Sequence, residues 1–179
     1  MTLRVRPSVD SDLPAGTAIY ADAVLHGTAS FELEPPREGE MARRRAVLLD
    51  AGYPYLAAER QGVVLGYAYA GPYRPRAAYR STVEDSIYVA PQARGQGIGR
   101  ALLAALIEQC AVLDFRLMVA VIGDEASSGS IRLHRSLGFE CTGILPGIGY
   151  KHGRWLASVL MHRRLGAGTA TPPTRPAAG

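Results

Sequence analysis

The sequence predicts a single α/β domain, a mixed and mainly antiparallel sheet flanked by helices, from three observations. Short apolar segments, alternating or unbroken and bounded by Gly and Pro, mark strands. Longer segments repeat apolar residues at three- and four-residue spacing, the stripe of a helix packed on a core. The two kinds follow one another as βααβββαβαββ, which is not the regular alternation of a doubly wound dinucleotide-binding sheet.

Each element has its own local signal. "LRVRP" is a short strand, and a helix is expected from Asp10 or Ser11, with Asp12 in its first turn. "FELEPPREG" is a loop held by Pro35 and Pro36, and "EMARRRAVLLDAG" is a second helix ending at Gly52. "YLAAE" and "VVLGYAYA" form a hairpin about the "RQG" turn. "GPYRPRAAY" is a proline-punctuated loop, and the strand "RSTVEDSIYVAP" stops at Pro91. Leu102, Leu103, Leu106, Ile107 and Cys110 make one helix face, and "FRLMVAVIG" is a strand covered on both sides. "SSGSIRLHRSLGF" is a short helix capped by Ser127 or Ser128 and ended by Gly138. "ECTGILP" and "RWLASVLMHRRL" complete the sheet.

Composition fits such a domain. The 179 residues are 47% hydrophobic and 20% charged, enough chain for a full core. No apolar run approaches the ~20 residues that span a bilayer. The opening lacks the apolar stretch of a signal peptide, so a cytoplasmic location is expected. Cys110 and Cys141 suit buried free thiols rather than a disulfide framework. His26, His152 and His162 lack metal-ligand spacing, and no metal is expected. The domain is expected to span residues 1–165, with 166–179, rich in Gly, Ala, Thr and Pro, as a disordered tail. The net charge of +4 comes from scattered arginines, and Arg43, Arg44 and Arg45 fall in a helical pattern. No basic–aromatic interleaving points to nucleic acid.

The stretch "YVAPQARGQGIGRALLAALI" raises a sharper question, because glycine-rich turns at helix starts cradle phosphates. It lacks the Lys-Ser or Lys-Thr of a nucleoside triphosphate loop. It also misses the dinucleotide fingerprint, since the third glycine position is Arg100. What is present is Arg94-x-x-Gly97-x-Gly99 with Gly95 added, an anion nest flanked by two arginines.

With "SIYVAP" before this loop and "LHRSLGF" after it, the chain resembles the GNAT superfamily of N-acetyltransferases over nearly all of residues 3–165. The resemblance implies that Arg94, Gly95, Gln96, Gly97, Ile98, Gly99 and Arg100 hold the pyrophosphate of acetyl-CoA. It also implies that Ile87, Tyr88 and Val89 pair with the pantetheine arm. Ser127 stands about where the family has an asparagine that binds the same arm. "YAGPYRPRAAYRSTVEDSIYV", "MVAVIG" and "GYKHGRWL" are similar to the phosphinothricin and methionine sulfoximine N-acetyltransferase subfamily. That likeness implies a small amino-acid acceptor and a homodimer.

Transfer to an amine needs a proton acceptor. Strand alternation puts Thr82, Glu84, Ser86 and Tyr88 on one face and Val83, Asp85, Ile87 and Val89 on the other. Glu84, just before the cofactor strand, is the candidate base; the plainer alternative is a salt-bridged strand carboxylate. His134 stands where relatives carry a tyrosine that protonates the leaving thiolate; the alternative is a helix histidine bonded to a carbonyl. Arg74 and Arg76 are expected to clamp anionic oxygens of the acceptor. Phe31, Tyr73 and Tyr79, with Val83, Glu84 and Asp85, are expected around its pocket. A cationic acceptor (polyamine or aminoglycoside) fits those arginines poorly, and a non-catalytic acetyl-CoA sensor would not need Glu84. A protein N-terminus is a further alternative acceptor.

Overall fold

The computed structural model describes residues 2–174. Its strands are β1 (Arg4–Pro7), β2 (Tyr55–Arg60), β3 (Val63–Pro72), β4 (Thr82–Val89), β5 (Leu117–Gly123), β6 (Glu140–Lys151) and β7 (Arg154–Arg164). Its helices are α1 (Leu13–His26), α2 (Glu38–Asp50), α3 (Ile98–Val112) and α4 (Ser128–Ser136). The chain order is the one expected. The strands form one seven-stranded sheet in the order β1-β2-β3-β4-β5-β7-β6. Of its pairings, β4 with β5 is parallel and the others are antiparallel.

That parallel pairing is short. β4 pairs with β3 from Pro72↔Val83 to Gly66↔Val89, all but its first residue. It meets β5 only at Thr82↔Leu117, Val83↔Met118 and Glu84↔Val119. β5 itself continues beside β7 as far as Gly123↔Ser158. Beyond Glu84 the two central strands diverge and the sheet opens into a wedge.

Alternation assigns the faces. Ala68 and Gly66 of β3 stand opposite Ile87 and Val89, on the face covered by α3. There Leu102, Leu103, Leu106 and Cys110 are fully buried, as their spacing requires. Tyr67 and Tyr69 stand opposite Tyr88 and Ser86, on the face covered by α1 and α2. An aromatic layer fills that side: Tyr20 meets Tyr88 edge-on with ring centroids 4.9 Å apart, and Tyr55 stacks on Tyr69 at 5.0 Å.

Some local expectations change. The first helix starts at Leu13, after a single 3-10 turn at Asp10–Asp12. Asp12 is buried and serves as an anchor: its carboxylate accepts two hydrogen bonds from Arg6 and one from the Val9 N–H. Cys110 is buried but Cys141 is exposed, because it sits on the edge strand β6. In the segment read as a tail, Arg116 donates to the Gly168 and Pro172 carbonyls and Thr174 donates to Asp114; residues 175–179 lie outside the described residues. No helix among the described residues is long and apolar enough to cross a membrane.

Gly66 is the tightest point of the α3 face. A Cβ there would lie 2.8 Å from the Tyr88 carbonyl oxygen and 3.2 Å from Leu102. Gly66→Ala is expected to destabilise the fold by about 1–3 kcal/mol, the cost of overpacking a core, measured as a lower denaturant midpoint with unchanged slope.

Candidate active site

The glycine loop owes its shape to backbone geometry. Gly95 and Gly97 have φ of 76° and 80°, and a Cβ on either would touch nothing within 4 Å, so positive φ alone selects glycine there. Gly97 is the N-cap of α3, and the first helical bond runs from Ala101 N–H to the Gly97 carbonyl. The N–H groups of Ile98, Gly99 and Arg100 therefore form the free, positive end of a 15-residue helix. Gly99 is small for a different reason: a Cβ there would lie 3.2 Å from Leu133 of α4. Arg94 donates to Asp22 of α1 at 2.9 Å, and Arg100 to the Ser136 hydroxyl at 2.8 Å, so both cations are held beside the helix start.

This loop closes one end of a cleft of about 560 Å³ that follows the wedge between β4 and β5. Glu84 to Val89 line one side, Ala120 to Gly123 the other, and Ser127, Ser130, Leu133 and His134 the α4 end. The cleft thus joins nearly all the residues expected to hold a cofactor. Gln96 is turned away, its side chain bonded to Arg60 and the Gln92 carbonyl. Ser127 occupies the N-cap of α4, yet its hydroxyl donates to the Gly123 carbonyl at 2.6 Å instead of capping the helix. The donor set suits a long anionic thioester. One end offers helix N–H groups and two arginines, and beyond Glu84 the cleft-side edge of β4 is released from the ladder.

Two carboxylates enter the cleft from opposite faces of the sheet. Glu84 belongs to the α1/α2 face, directly opposite Gly71, and is the last β4 residue in register with β5. Burial raises its pKa above the ordinary carboxylate value, Arg74 opposes the shift, and Asp85 adds to it. Asp85 lies on the α3 face, with its side chain 2% exposed, and its Oδ2 shares a hydrogen bond of 2.9 Å with His134 Nε2. The other ring nitrogen, Nδ1, donates to the Ser130 carbonyl at 2.8 Å. His134 thus bonds a helix carbonyl, as its plainer alternative expected, and it also lines the cleft. Burial lowers its pKa, but Asp85 and Ser130 outweigh burial and the net direction is upward.

The expected acceptor residues separate into three groups. Arg74 folds over the Tyr73 ring, 4.3 Å from its centroid, and its Nη1 stands 3.9 Å from Glu84 Oε2; Tyr79 meets Tyr73 edge-on. Arg76 is exposed on the same loop. Val83 is fully buried in the core and does not line the cleft. Phe31 stands at the β5 end of the wedge. A Cβ on Gly149 would lie 2.5 Å from its ring, and one on Gly123 2.8 Å from it.

The sequence signal missed what holds Phe31 in place. Lys151, inside a stretch read only as family-like, is buried and donates to the Ser30 carbonyl at 2.7 Å. Tyr20 bonds the Ser30 hydroxyl and Glu32, and Thr28 donates to the Gly123 carbonyl. Burial lowers the Lys151 pKa, with Glu32 working against it. A lysine at a strand end carries no periodic signal of such burial. Lys151→Met is expected to leave the Ser30 carbonyl unpaired, to destabilise by about 1–3 kcal/mol, and to speed amide exchange across Thr28–Glu32.

Residues 18–139 match the family model described as Acetyltransferase (GNAT) family. A phosphinothricin N-acetyltransferase of Alcaligenes faecalis is 54% identical over 169 residues, 94% of this chain and 86% of that protein. An L-methionine sulfoximine/L-methionine sulfone acetyltransferase of Pseudomonas paraeruginosa is 42% identical, covering 96% of this chain and 100% of that protein. Among solved structures, a GNAT superfamily phosphinothricin acetyltransferase from Sinorhizobium meliloti in complex with AcCoA superposes with a TM-score of 0.95. It is 51% identical and covers 99% of this chain and 96% of that one. Wedge, glycine loop and helix order agree with these likenesses, and the chain belongs to the GNAT family of acetyltransferases.

Proposed function

We propose that this enzyme moves the acetyl group of acetyl-CoA to the α-amine of a small amino acid of the phosphinothricin, methionine sulfoximine or methionine sulfone type. Transfer is direct, with Glu84 as general base. The observation that carries this reading is the position of Glu84. It is a half-buried carboxylate at the point where the β4–β5 ladder ends, beside a cleft suited to a thioester and 3.9 Å from Arg74. The names of the two relatives support the acceptor class. In this reading the Arg94–Arg100 loop takes the pyrophosphate and the cleft-side edge of Ile87, Tyr88 and Val89 takes the pantetheine amides. Arg74 takes an acceptor oxygen, within reach of a base that must receive the ammonium proton.

The charges suit that order of events. A carboxylate raised by burial is a better proton acceptor than an exposed one, and it must be ionised to act. Activity should therefore rise with pH through a limb lying above the ordinary glutamate value, and fall away as pH drops through it. Glu84 takes one proton from the ammonium and frees the lone pair; the nitrogen then bonds the thioester carbon, the carbon–sulfur bond breaks toward sulfur, and the second nitrogen proton leaves to solvent.

Thiol release from acetyl-CoA is the direct test, with phosphinothricin, methionine sulfoximine, methionine sulfone, spermidine and an alanine-starting peptide as acceptors. Release with the first three alone is expected; release with spermidine or the peptide alone would overturn the acceptor assignment. Glu84→Gln is expected to lower kcat by about 10²–10⁴-fold while calorimetric acetyl-CoA affinity holds, and unchanged kcat would remove Glu84 from the mechanism. Arg74→Ala is expected to raise the acceptor KM by about tenfold or more with a smaller change in kcat.

A further inference from the structure

His134 presents an unusual inventory of hydrogen bonds for a residue at a reaction cleft. Its Nδ1 faces the Ser130 carbonyl, which can only accept, so that nitrogen carries a proton. Its Nε2 faces Asp85 Oδ2 at 2.9 Å, and the two side chains are 5% and 2% exposed. The ring is further fixed by Phe139, whose ring meets it edge-on at 5.0 Å. Neither nitrogen is open toward the cleft that His134 lines. The second oxygen, Asp85 Oδ1, is buried with no hydrogen-bond partner among the described residues. In a low-dielectric site such an oxygen is costly, and a cation fixed beside the carboxylate offsets that cost.

We propose that Asp85 is a positioning residue for His134: it holds the imidazole as a fixed, doubly bonded cation in the cleft wall on the sheet face opposite Glu84. On this view His134 does not hand its own proton to the departing sulfur. Its charge faces the negative charge that develops as the carbon–sulfur bond breaks, and solvent protonates the thiolate. The division of labour follows from the wedge. Glu84 receives the amine proton from one face of the sheet, and the Asp85–His134 pair presents positive charge from the other. This inference rests on the acetyl-transfer reading of the cleft, but its main readout does not.

The charged groups around the ring are few. Arg100 of α3 is held by Ser136, and Arg163 of β7 donates to the Leu137 carbonyl, both near the end of α4. Arg132 and Arg135 lie on α4 itself, and Glu84 is on the far face of β4. The β5 residues carry no titratable side chain. Asp85 is thus the anion that favours the ring's charge, in line with the upward direction of its pKa.

Nitrogen-15 chemical shifts of the His134 ring in the full-length protein, without any acceptor, give the first test. Two protonated nitrogens at neutral pH are expected. An unprotonated Nε2, meaning that Asp85 carries the shared proton, would overturn the proposal. In Asp85→Asn burial remains while the counter-charge is gone, so the ring should lose its proton about one pH unit lower or more. An unchanged titration would also overturn it. Activity supplies the third readout. As pH rises through the neutral range the variant ring deprotonates first, so the wild-type to Asp85→Asn ratio of kcat should grow with pH. A ratio that does not change with pH would show a merely structural role. Combined with His134→Gln, the losses should not multiply, because the second substitution removes what the first one weakened; multiplicative losses would count against the pair. Should Asp85→Asn fail to fold, the wild-type shifts alone still decide. Failure of the acceptor panel, by contrast, would leave the nitrogen-15 result untouched.

Discussion

The structure depends on a failure of pairing. β4 keeps its ladder with β3 and abandons β5 after Glu84↔Val119. Strand backbones left without partners are costly in an interior, so a wedge in a sheet is stable only where something else can reach its edges. The residues that line the cleft are gathered around that gap. The glycine loop closes one end, α4 lines a second side, and the 27–37 segment lies by the tip of β5. A sheet with a continuous β4–β5 ladder would hold the same side chains and have no route between its faces.

The fold also sets adjacent residues in unrelated surroundings. Consecutive strand positions point to opposite faces, so Glu84 and Asp85 enter environments built from different helices. Glu84 borders the tyrosine layer under α1 and α2, together with Ser86 and Tyr69. Asp85 meets the aliphatic layer under α3 and bonds with α4. One carboxylate stays half exposed beside an arginine of a proline-stiffened loop. The other is buried against a histidine. Two carboxylates one residue apart are thereby set in opposite surroundings.

Much of this was legible in the sequence, for identifiable reasons. Helix α3 and strand β4 carry strong periodicity, and the glycine spacing of 95, 97 and 99 admits few structural readings. The parity of Glu84 and Asp85 came directly from the two-residue repeat. The pairing of Asp85 with His134 did not, because it joins residues 49 positions apart through a tertiary crossing that no local pattern encodes. For the same reason Lys151 stood only in a family-like stretch, since its partner Ser30 lies 121 positions away. Ser127 shows the converse: the capping residue was found at the right place, but its hydroxyl turned to Gly123, a choice set by the end of β5. Val83 was expected around the acceptor pocket, and its side-chain direction puts it in the core.

The two glycines beneath Phe31 have a consequence for how such enzymes diverge. Gly123 ends β5 and Gly149 lies in β6; a Cβ on Gly149 would meet the Phe31 ring, and one on Gly123 would meet the Thr28 carbonyl oxygen before the ring. The segment carrying that ring is fastened by groups outside the glycine loop: Lys151, Tyr20 and Thr28. A smaller side chain in place of Phe31 would enlarge the space over the two glycines without disturbing the Arg94–Arg100 loop or the strand edge that opens the wedge. One loop side chain thus sets the room above Gly149, while the backbone at the start of α3 takes its shape from Gly95 and Gly97.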